Sequence, residues 1–345
     1  MTSQPPMLEV RGLKVHYPVG SGLLRKSSSV IRAVDDVSFT LRRGETLSIV
    51  GESGCGKSTL GRAIVRLGRP TGGEVWVDGA RIDHLSGPAL RRVRRRIQMI
   101  LQDPFSSLNP RMRVRDILAE PIVNFEPGID RAELDRRIAH LLESVQLPIQ
   151  AANRFPHEFS GGQRQRIGIA RALGSGAEII VCDEAVSALD VSVKAQIVNL
   201  LVRLQGEFGL TLLFISHDLS IVERLTHNVG VMYLGKIVEL ASRSELFGAP
   251  RHPYTRALLS AVPIPDPTVT RQRIVLHGDV PSPISPPSGC RFHTRCPYAF
   301  QPCSEESPEL RTDGTSGHKV ACHLDALPPI PNIVPRPAKT STNAI

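Results

Sequence analysis

The first fifty residues alternate apolar and polar side chains in the manner of half-buried β-strands. The alternation runs through LEVRGLKVHY, IRAVDDVSFTL and ETLSIV, within residues 8–50. A shorter run, EVWVD at residues 74–78, has the same character and ends at an Asp-Gly turn. These segments predict strands, and PVGSGLLRKSSSV between the first two predicts a flexible loop.

The pattern becomes helical from Lys57 to Leu67 and again over residues 113–147. Residues 178–182 and 211–215 are apolar runs of strand length, and each is followed by a helical pattern. Continuous apolar strands alternating with helices favour a buried parallel sheet. After about Val262 proline becomes dense, which predicts a linker and an irregular extension.

Length and charge narrow the class of protein without fixing it. A chain of 345 residues exceeds what one core usually covers, so we expect a large domain with a smaller appendage. The composition, 41% hydrophobic and 22% charged, is that of a globular protein. The net charge of +9 favours nucleotides, nucleic acid or an anionic membrane surface, and the basic run LRRVRRRIQ predicts a solvated helix face.

Targeting signals are missing from the sequence pattern. No apolar run approaches the roughly 20 residues that a membrane span needs. The start, MTSQPPMLEV, lacks the basic and then apolar pattern of a secretory signal. We therefore expect a cytosolic chain that does not itself cross a membrane and keeps its six cysteines reduced.

The stretch GESGCGKST matches the phosphate-binding P-loop, G-x-x-x-x-G-K-S. Glycines let successive N–H groups turn towards an anion, and the following helix adds its N-terminus. We expect Lys57 to reach the β- and γ-phosphates, Ser58 to ligate Mg²⁺, and Cys55 to be a small filler and not a reactive thiol. The predicted nucleotide-binding residues of this loop are Gly51, Ser53, Gly54, Cys55, Gly56, Lys57, Ser58 and Thr59.

Two carboxylates follow the apolar run IIVC. Asp183 is predicted to hold Mg²⁺ through water. Glu184 is predicted to lie beside the γ-phosphate and to polarise the attacking water. Their position at the end of a buried strand favours this function over a surface role.

The segment Ser160-Gly161-Gly162-Gln163, which opens the helix QRQRIGIARAL, resembles the signature motif of ABC ATPases. Its helix N-terminus can face a phosphate. Four further residues acquire roles from this resemblance: Tyr17 stacks on adenine, Gln102 senses Mg²⁺ and water, Asp190 lies in the loop that crosses the dimer interface, and His217 contacts the γ-phosphate. Ala185 stands where the family usually has proline, which should change only backbone stiffness.

The resemblance implies an α/β fold: an ABC-type nucleotide-binding domain with a RecA-like parallel-sheet core, an antiparallel β-subdomain and a helical subdomain. It places the ATPase domain at residues 8–265, its helical subdomain at about 103–170, and a Cys-containing extension at 266–345. In this family two such domains pair head to tail, with each ATP between the P-loop of one and the SGGQ segment of the other. ATP and Mg²⁺ are the implied ligands.

The segments HPYTRALLSAVP, DPFSSLNPRM and DEAVSALDVSVKAQIVNLL resemble the peptide and nickel importer branch. This implies an ATP-hydrolysing subunit on the cytoplasmic face of the cell membrane, with permease subunits, a second ATPase subunit and, indirectly, an extracytoplasmic substrate-binding protein as partners. Di- or oligopeptides are the expected cargo, with nickel or another small solute as the alternative. A DNA-associated ABC ATPase is a further alternative. Only about 60 residues separate Gln102 from Ser160, too few for an inserted coiled coil, so no nucleic acid is expected. The intact motifs disfavour a regulatory subunit without hydrolysis.

Four cysteines, Cys290, Cys296, Cys303 and Cys322, lie within 33 residues, with intervals of five, six and eighteen. Zinc sites usually contain pairs two to four residues apart, and disulfides are disfavoured in a reducing compartment. Four thiolates suit a [4Fe–4S] cluster, and the resemblance implies one, because related importer subunits are thought to carry it. Zn²⁺ and four unrelated buried thiols are the alternatives, and His293, His318 and His323 are expected to be bystanders.

Overall fold

The structure, a computed structural model, describes residues 5–19, 29–103, 107–263, 273–312 and 317–328. Within these residues the strands are β1 (Leu8–Val19), β2 (Ser29–Leu41), β3 (Thr46–Val50), β4 (Gly72–Val77), β5 (Ala80–Arg81), β6 (Ile97–Ile100), β7 (Ile179–Asp183), β8 (Thr211–Ser216), β9 (Asn228–Tyr233), β10 (Lys236–Ser242), β11 (Arg311–Thr312) and β12 (Lys319–Val320). The helices are α1 (Lys57–Ile64), α2 (Gly87–Arg96), α3 (Val114–Phe125), α4 (Arg131–Ser144), α5 (Gly161–Gly174), α6 (Val191–Phe208), α7 (Leu219–Leu225), α8 (Arg243–Gly248) and α9 (Pro253–Ser260).

The smaller sheet is antiparallel and has the order β2-β1-β4-β5. Alternate residues of β1, such as Val10 and Val15, are buried against a core that also contains side chains of β2, β4 and α1. The alternation at residues 8–50 and 74–78 therefore predicted these strands correctly. Most of the loop predicted between β1 and β2 lies outside the described residues.

The larger sheet has the order β11-β12-β10-β9-β3-β8-β7-β6. Strands β6, β7, β8, β3 and β9 run parallel, and every residue of β3, β7 and β8 is buried. The parallel sheet expected from the apolar runs is thus confirmed. Helix α1 lies between the two sheets, and a Cβ on Gly61 would come 2.8 Å from Ile215 Cδ1, so this glycine permits the close approach.

The helical region differs in detail from the sequence pattern. The stretch 113–147 forms two helices, because Pro127 and Gly128 interrupt it and Asp130 caps α4 through two backbone N–H groups. Helix α1 ends at Ile64, earlier than the pattern indicated, and Arg66 follows with a positive φ of 61°. Helices α3, α4 and α5 pack together over one apolar core.

Residues 90–96 of the basic run belong to α2, which has no buried residue, and the last two residues of the run begin β6. Arg95 pairs with Glu126 at 2.5 Å, and Arg96 pairs with Glu178 at 2.5 Å. The solvated helix face predicted for this run is therefore what the structure has.

The extension is irregular, as expected, yet it is built onto the core. Strand β12 pairs antiparallel with β10, and the Ala321 N–H donates to the Val238 carbonyl at 2.8 Å. The buried Phe292 ring lies 5.3 Å from the Tyr233 ring and 5.4 Å from the Tyr254 ring. The residues expected to link the two parts, 264–272, lie outside the described ranges. Of the helices in those ranges, none combines the length and apolarity that a membrane crossing requires.

Candidate nucleotide site

The phosphate-binding loop connects β3 to α1, so its backbone donors stand at the carboxyl edge of the parallel sheet. Gly56 precedes the first helical residue with a φ of 105°, and a Cβ there would come 2.0 Å from the Ala33 carbonyl oxygen. Only glycine fits this position, which explains its place in the motif. The α1 N-terminus and the loop N–H groups together form a site for an anion.

Lys57 is buried and held by the loop itself. Its Nζ donates to the carbonyl oxygens of Gly51 at 2.9 Å and Glu52 at 2.8 Å. The Cys55 sulfur lies 3.7 Å from the same nitrogen. Burial raises the pKa of the Cys55 thiol, and the Lys57 ammonium offsets this only partly, which fits the filler role expected for this residue.

Ser58 and Asp183 bring two oxygen ligands together. The Ser58 hydroxyl donates to Asp183 Oδ1 at 2.6 Å, and Arg62 Nη2 lies 3.9 Å from Asp183 Oδ2. Burial raises the pKa of Asp183, an effect that the Ser58 hydrogen bond and the Arg62 charge oppose. Hydroxyl and carboxylate oxygens are the donors that Mg²⁺ prefers, so this pair fits the predicted metal site.

Glu184 and His217 meet at the ends of β7 and β8. His217 Nδ1 lies 3.4 Å from Glu184 Oε2. Glu184 has a positive φ of 48°, unusual for a residue with a side chain, and its N–H donates to the Ile215 carbonyl at 3.0 Å. A residue held in this strained conformation beside a cavity is typical of a functional position.

A cavity of about 240 Å³ is lined by Lys57 and by one member of each pair, Ser58 and Glu184. It is lined by Ile31, Arg32, Ala33, Ser53, Gly54, Cys55, Gly56, Lys57, Ser58, Thr59, Gln102, Glu184, Leu234, Gly235 and Pro283. Gln102 lines the same cavity as residues of the phosphate-binding loop. Tyr17 is half exposed and does not line the cavity, but it pairs in register with Ile31, which does.

The signature segment lies elsewhere on the chain. The Ser160 hydroxyl caps α5 by accepting from the Gln163 N–H at 3.3 Å. The Gln163 side-chain oxygen in turn accepts from the Ser160 N–H. A Cβ on Gly162 would come 2.4 Å from Val193, so α5 and α6 are in close contact there. Neither Gly161 nor Asp190 is among the cavity residues described, and Asp190 is exposed at the start of α6.

The four cysteines of the extension are neighbours. The Cys290 N–H donates to the Cys303 carbonyl at 2.8 Å. Burial, with a smaller contribution from the neighbouring thiols, raises the pKa values of Cys290 and Cys296 to about 11. Burial likewise raises the pKa of Cys322. Nevertheless, no group of three or more His, Cys, Asp or Glu side chains is arranged to hold a metal ion in the ranges that the structure describes.

Sequence reasoning missed residues that reach the loop from distant parts of the chain. Tyr254 accepts a hydrogen bond from the Glu52 N–H at 2.8 Å, and Arg295 pairs with the Glu52 side chain at 2.7 Å. Pro283, also in the extension, lines the cavity. Tyr254 lies in the segment HPYTRALLSAVP, whose family resemblance did not predict a role for this side chain. No local sequence motif predicts a role for Arg295 or Pro283.

Family models match two parts of the chain. The ABC transporter model covers residues 34–187, and the model of the oligopeptide/dipeptide transporter C-terminal region covers residues 238–303. The second match includes three of the four clustered cysteines.

Curated relatives extend the similarity to nearly the full length. The chain is 53% identical over 325 residues to the oligopeptide transport ATP-binding protein AppF of Bacillus subtilis, covering 93% of this chain and 98% of AppF. It is 53% identical to a probable peptide ABC transporter ATP-binding protein of Sinorhizobium fredii, covering 93% of this chain and 90% of that protein.

Solved structures match over the larger part of the chain. A dimeric post-hydrolysis state of the ATP-binding cassette MJ0796, bound to ADP and Pi, aligns with a TM-score of 0.61 at 28% identity and covers 69% of this chain and 99% of that one. The cbiO1 protein of Clostridium perfringens, part of the transporter complex cbiONQ, aligns with a TM-score of 0.62 at 27% identity and covers 71% and 91%.

Proposed function

Because the chain belongs to the ABC transporter family of ATP-binding proteins, in its oligopeptide and dipeptide branch, we propose that it powers peptide import by binding and hydrolysing ATP. The observation that carries the proposal is that Lys57, Ser58 and Glu184 line one cavity, where Ser58 bonds to Asp183 and Glu184 lies beside His217. Each pair supplies a different part of phosphoryl transfer.

In the proposed reaction the loop N–H groups and Lys57 bind the β- and γ-phosphates of ATP. Ser58 and Asp183 hold Mg²⁺, which neutralises charge on the phosphates. Glu184 accepts the hydrogen bond of the attacking water, and His217 orients the γ-phosphate. Gln102 reaches the same cavity from the segment that leads to α3, and Tyr17 offers an exposed ring for adenine to stack on.

The signature segment acts in a second subunit. None of the residues 160–163 lines the cavity of its own chain, and we propose that the α5 N-terminus instead contacts the ATP held by a partner. We propose head-to-tail pairing with a second copy or a related ATPase, in which Asp190 lies at the contact. Hydrolysis then weakens the closed pair because one charged ligand of that helix is removed.

The cargo and the partners follow from the branch. We propose di- or oligopeptides as cargo, membrane-spanning permease subunits and an extracytoplasmic binding protein as partners, and the cytoplasmic face of the cell membrane as the location. Residues 8–265, with a helical subdomain at about 103–170, form the proposed ATPase domain, and residues 266–345 form the proposed extension.

Deleting the gene is expected to abolish uptake of radiolabelled di- and tripeptides by intact cells, because the importer loses its energy source. Reintroducing the wild-type gene should restore uptake, whereas the Glu184→Gln gene should not. Uptake of radioactive nickel by the same cells is the control. Unchanged peptide uptake combined with reduced nickel uptake would favour the alternative cargo.

For the extension we propose a [4Fe–4S] cluster held by Cys290, Cys296, Cys303 and Cys322. The donor set supports it: four soft thiols interact electrostatically with one another, and Cys290 and Cys296 pack against the core that contains Phe292. The cluster would stabilise this segment by cross-linking it. Zn²⁺ on the same thiols is the alternative.

Protein purified without oxygen is expected to be brown, to absorb at about 400 nm, and to contain iron and acid-labile sulfide. Replacing Cys296 by serine should remove the colour and the iron. Replacing Cys182 by alanine, a buried thiol in β7 distant in sequence from the four, is the matched control and should leave both unchanged. Stoichiometric zinc, or no metal at all, would contradict the cluster.

A further inference from the structure

A side chain from the extension reaches the phosphate-binding loop. Arg295 lies directly before Cys296, and its guanidinium forms two bonds with the Glu52 carboxylate: Nη1 to Oε2 at 2.7 Å and Nη2 to Oε1 at 3.1 Å. The Arg295 side chain is only 8% exposed, and Glu52 is 28% exposed. The pair joins residues 243 positions apart in the sequence.

This ion pair is one of several interactions that hold Glu52. Its backbone N–H donates to the Tyr254 hydroxyl at 2.8 Å, and its carbonyl oxygen accepts from Lys57 Nζ at 2.8 Å. The residue is therefore held through its N–H, its carbonyl and its side chain. Because Lys57 contacts phosphate in the proposed function, a displaced Glu52 also displaces a ligand of the nucleotide.

Arg295 is itself held in place. Its guanidinium carbon lies 6.0 Å from the centre of the Tyr233 ring, and Nη1 lies 3.5 Å from the Tyr233 hydroxyl. Tyr233 is buried against Tyr254 and Phe292, which lies three residues before Arg295. The Arg295 guanidinium is preorganised to bind Glu52, because it lies beside the Tyr233 ring and both of its terminal nitrogens bond to the carboxylate. A lysine ammonium cannot reproduce both the ring contact and the two parallel bonds.

The negative charge of Glu52 makes its pairing with Arg295 relevant to nucleotide binding. A carboxylate in the second position of the loop stands close to where a triphosphate would bind, so an unpaired negative charge there opposes binding. Arg295 compensates this charge. The loop motif does not require a carboxylate at this position, because its second residue is free to vary.

We propose that Arg295 is a positioning residue for the nucleotide site: it holds Glu52, and through it the first turn of the phosphate-binding loop, and compensates the Glu52 charge. The proposal rests on the proposed function, since it presumes that the loop binds ATP. It makes the extension part of the nucleotide site, although its cysteines lie outside the cavity.

The test measures MgATP affinity and steady-state hydrolysis in the full-length protein. Arg295→Gln is expected to weaken MgATP binding about tenfold, because the Glu52 carboxylate loses the guanidinium to which it is directly bonded. The rate at saturating ATP should change by less than about twofold, because Arg295 contacts no reacting atom. Arg295→Lys should show an intermediate affinity, since it keeps the charge but not the fork.

A second substitution separates this role from a purely structural one. In the Arg295→Gln protein, adding Glu52→Gln removes the uncompensated carboxylate and should restore most of the lost affinity. Arg311→Gln is the matched control: Arg311 also lies in the extension and donates to the Cys322 carbonyl at 3.0 Å, and its loss should leave affinity unchanged. Thermal melting and iron content are compared for all variants.

The outcomes distinguish the two proposals. Wild-type protein that fails to bind MgATP would overturn the proposed function and this inference together. Normal wild-type binding with equal affinity in Arg295→Gln would overturn the inference alone. So would a weakened Arg295→Gln that Glu52→Gln does not restore, because the defect would then be structural. If Arg295→Gln is too unstable to purify, the MgATP affinity of the more conservative Arg295→Lys is the test. Wild-type affinity in that variant would contradict the role of the guanidinium fork.

Discussion

Replacing Glu184 by glutamine should lower ATP hydrolysis by about 10²- to 10⁴-fold while MgATP still binds. Glutamine keeps the size of the side chain and one acceptor oxygen, but it cannot accept a proton from the attacking water. The Glu184 backbone is fixed by its bond to the Ile215 carbonyl, so the substitution should not move the chain. Bound nucleotide that is not hydrolysed should also hold the proposed pair of subunits closed.

The measurements are phosphate release and size-exclusion chromatography with MgATP. Glu207→Gln is the matched control, because Glu207 is a surface residue of α6 that pairs only with Arg203 among the salt bridges described. It should keep wild-type turnover and should not form the ATP-dependent dimer. Turnover close to normal in Glu184→Gln would show that another group activates the water.

Replacing Lys57 by alanine is expected to weaken MgATP binding by about 10- to 100-fold, the range for loss of a charged hydrogen bond. The Lys57 ammonium is buried and bonded to the Gly51 and Glu52 carbonyls, so it already stands beside the loop donors that would surround a phosphate. Its loss removes a buried positive charge that supplements the loop dipoles and the helix terminus.

Isothermal titration calorimetry with MgATP measures this effect directly. Lys14→Ala is the control, since Lys14 is an exposed residue of β1 and its loss should not change the affinity. Thermal melting without nucleotide shows whether the loop variant stays folded. If Lys57→Ala binds MgATP as tightly as the wild type, the loop does not use its lysine in the way that we propose.

Local patterns predicted much of the fold because they depend on neighbouring residues. The alternation in β1 and β2, and the fully apolar runs of β7 and β8, correspond directly to one-sided and two-sided burial. The amphipathic pattern predicted helix throughout residues 113–147. It did not predict the interruption at Pro127 and Gly128, because the spacing of apolar residues does not report helix-breaking residues.

Pairings over long sequence distances could not be predicted in the same way. Strand β12 is only two residues long, and it exists because β10 offers it an edge. The Glu52–Arg295 pair likewise depends on how the extension folds back onto β9 and α9. Within the candidate site, Lys57, Ser58, Asp183 and Glu184 could be predicted because each belongs to a compact motif. Arg295, which pairs with the Glu52 side chain, belongs to none.

Strand β12 also covers the edge of β10, where another copy of the chain could otherwise add a strand. Without the extension, β11 and β12 would be lost, and Glu239 and Leu240 would present unpaired backbone groups at the margin of the remaining six strands, next to the uncovered rings of Tyr233 and Tyr254. Such a margin is a template on which identical chains add strand to strand. A chain shortened to its catalytic part would therefore tend to aggregate, whatever remained of its nucleotide chemistry.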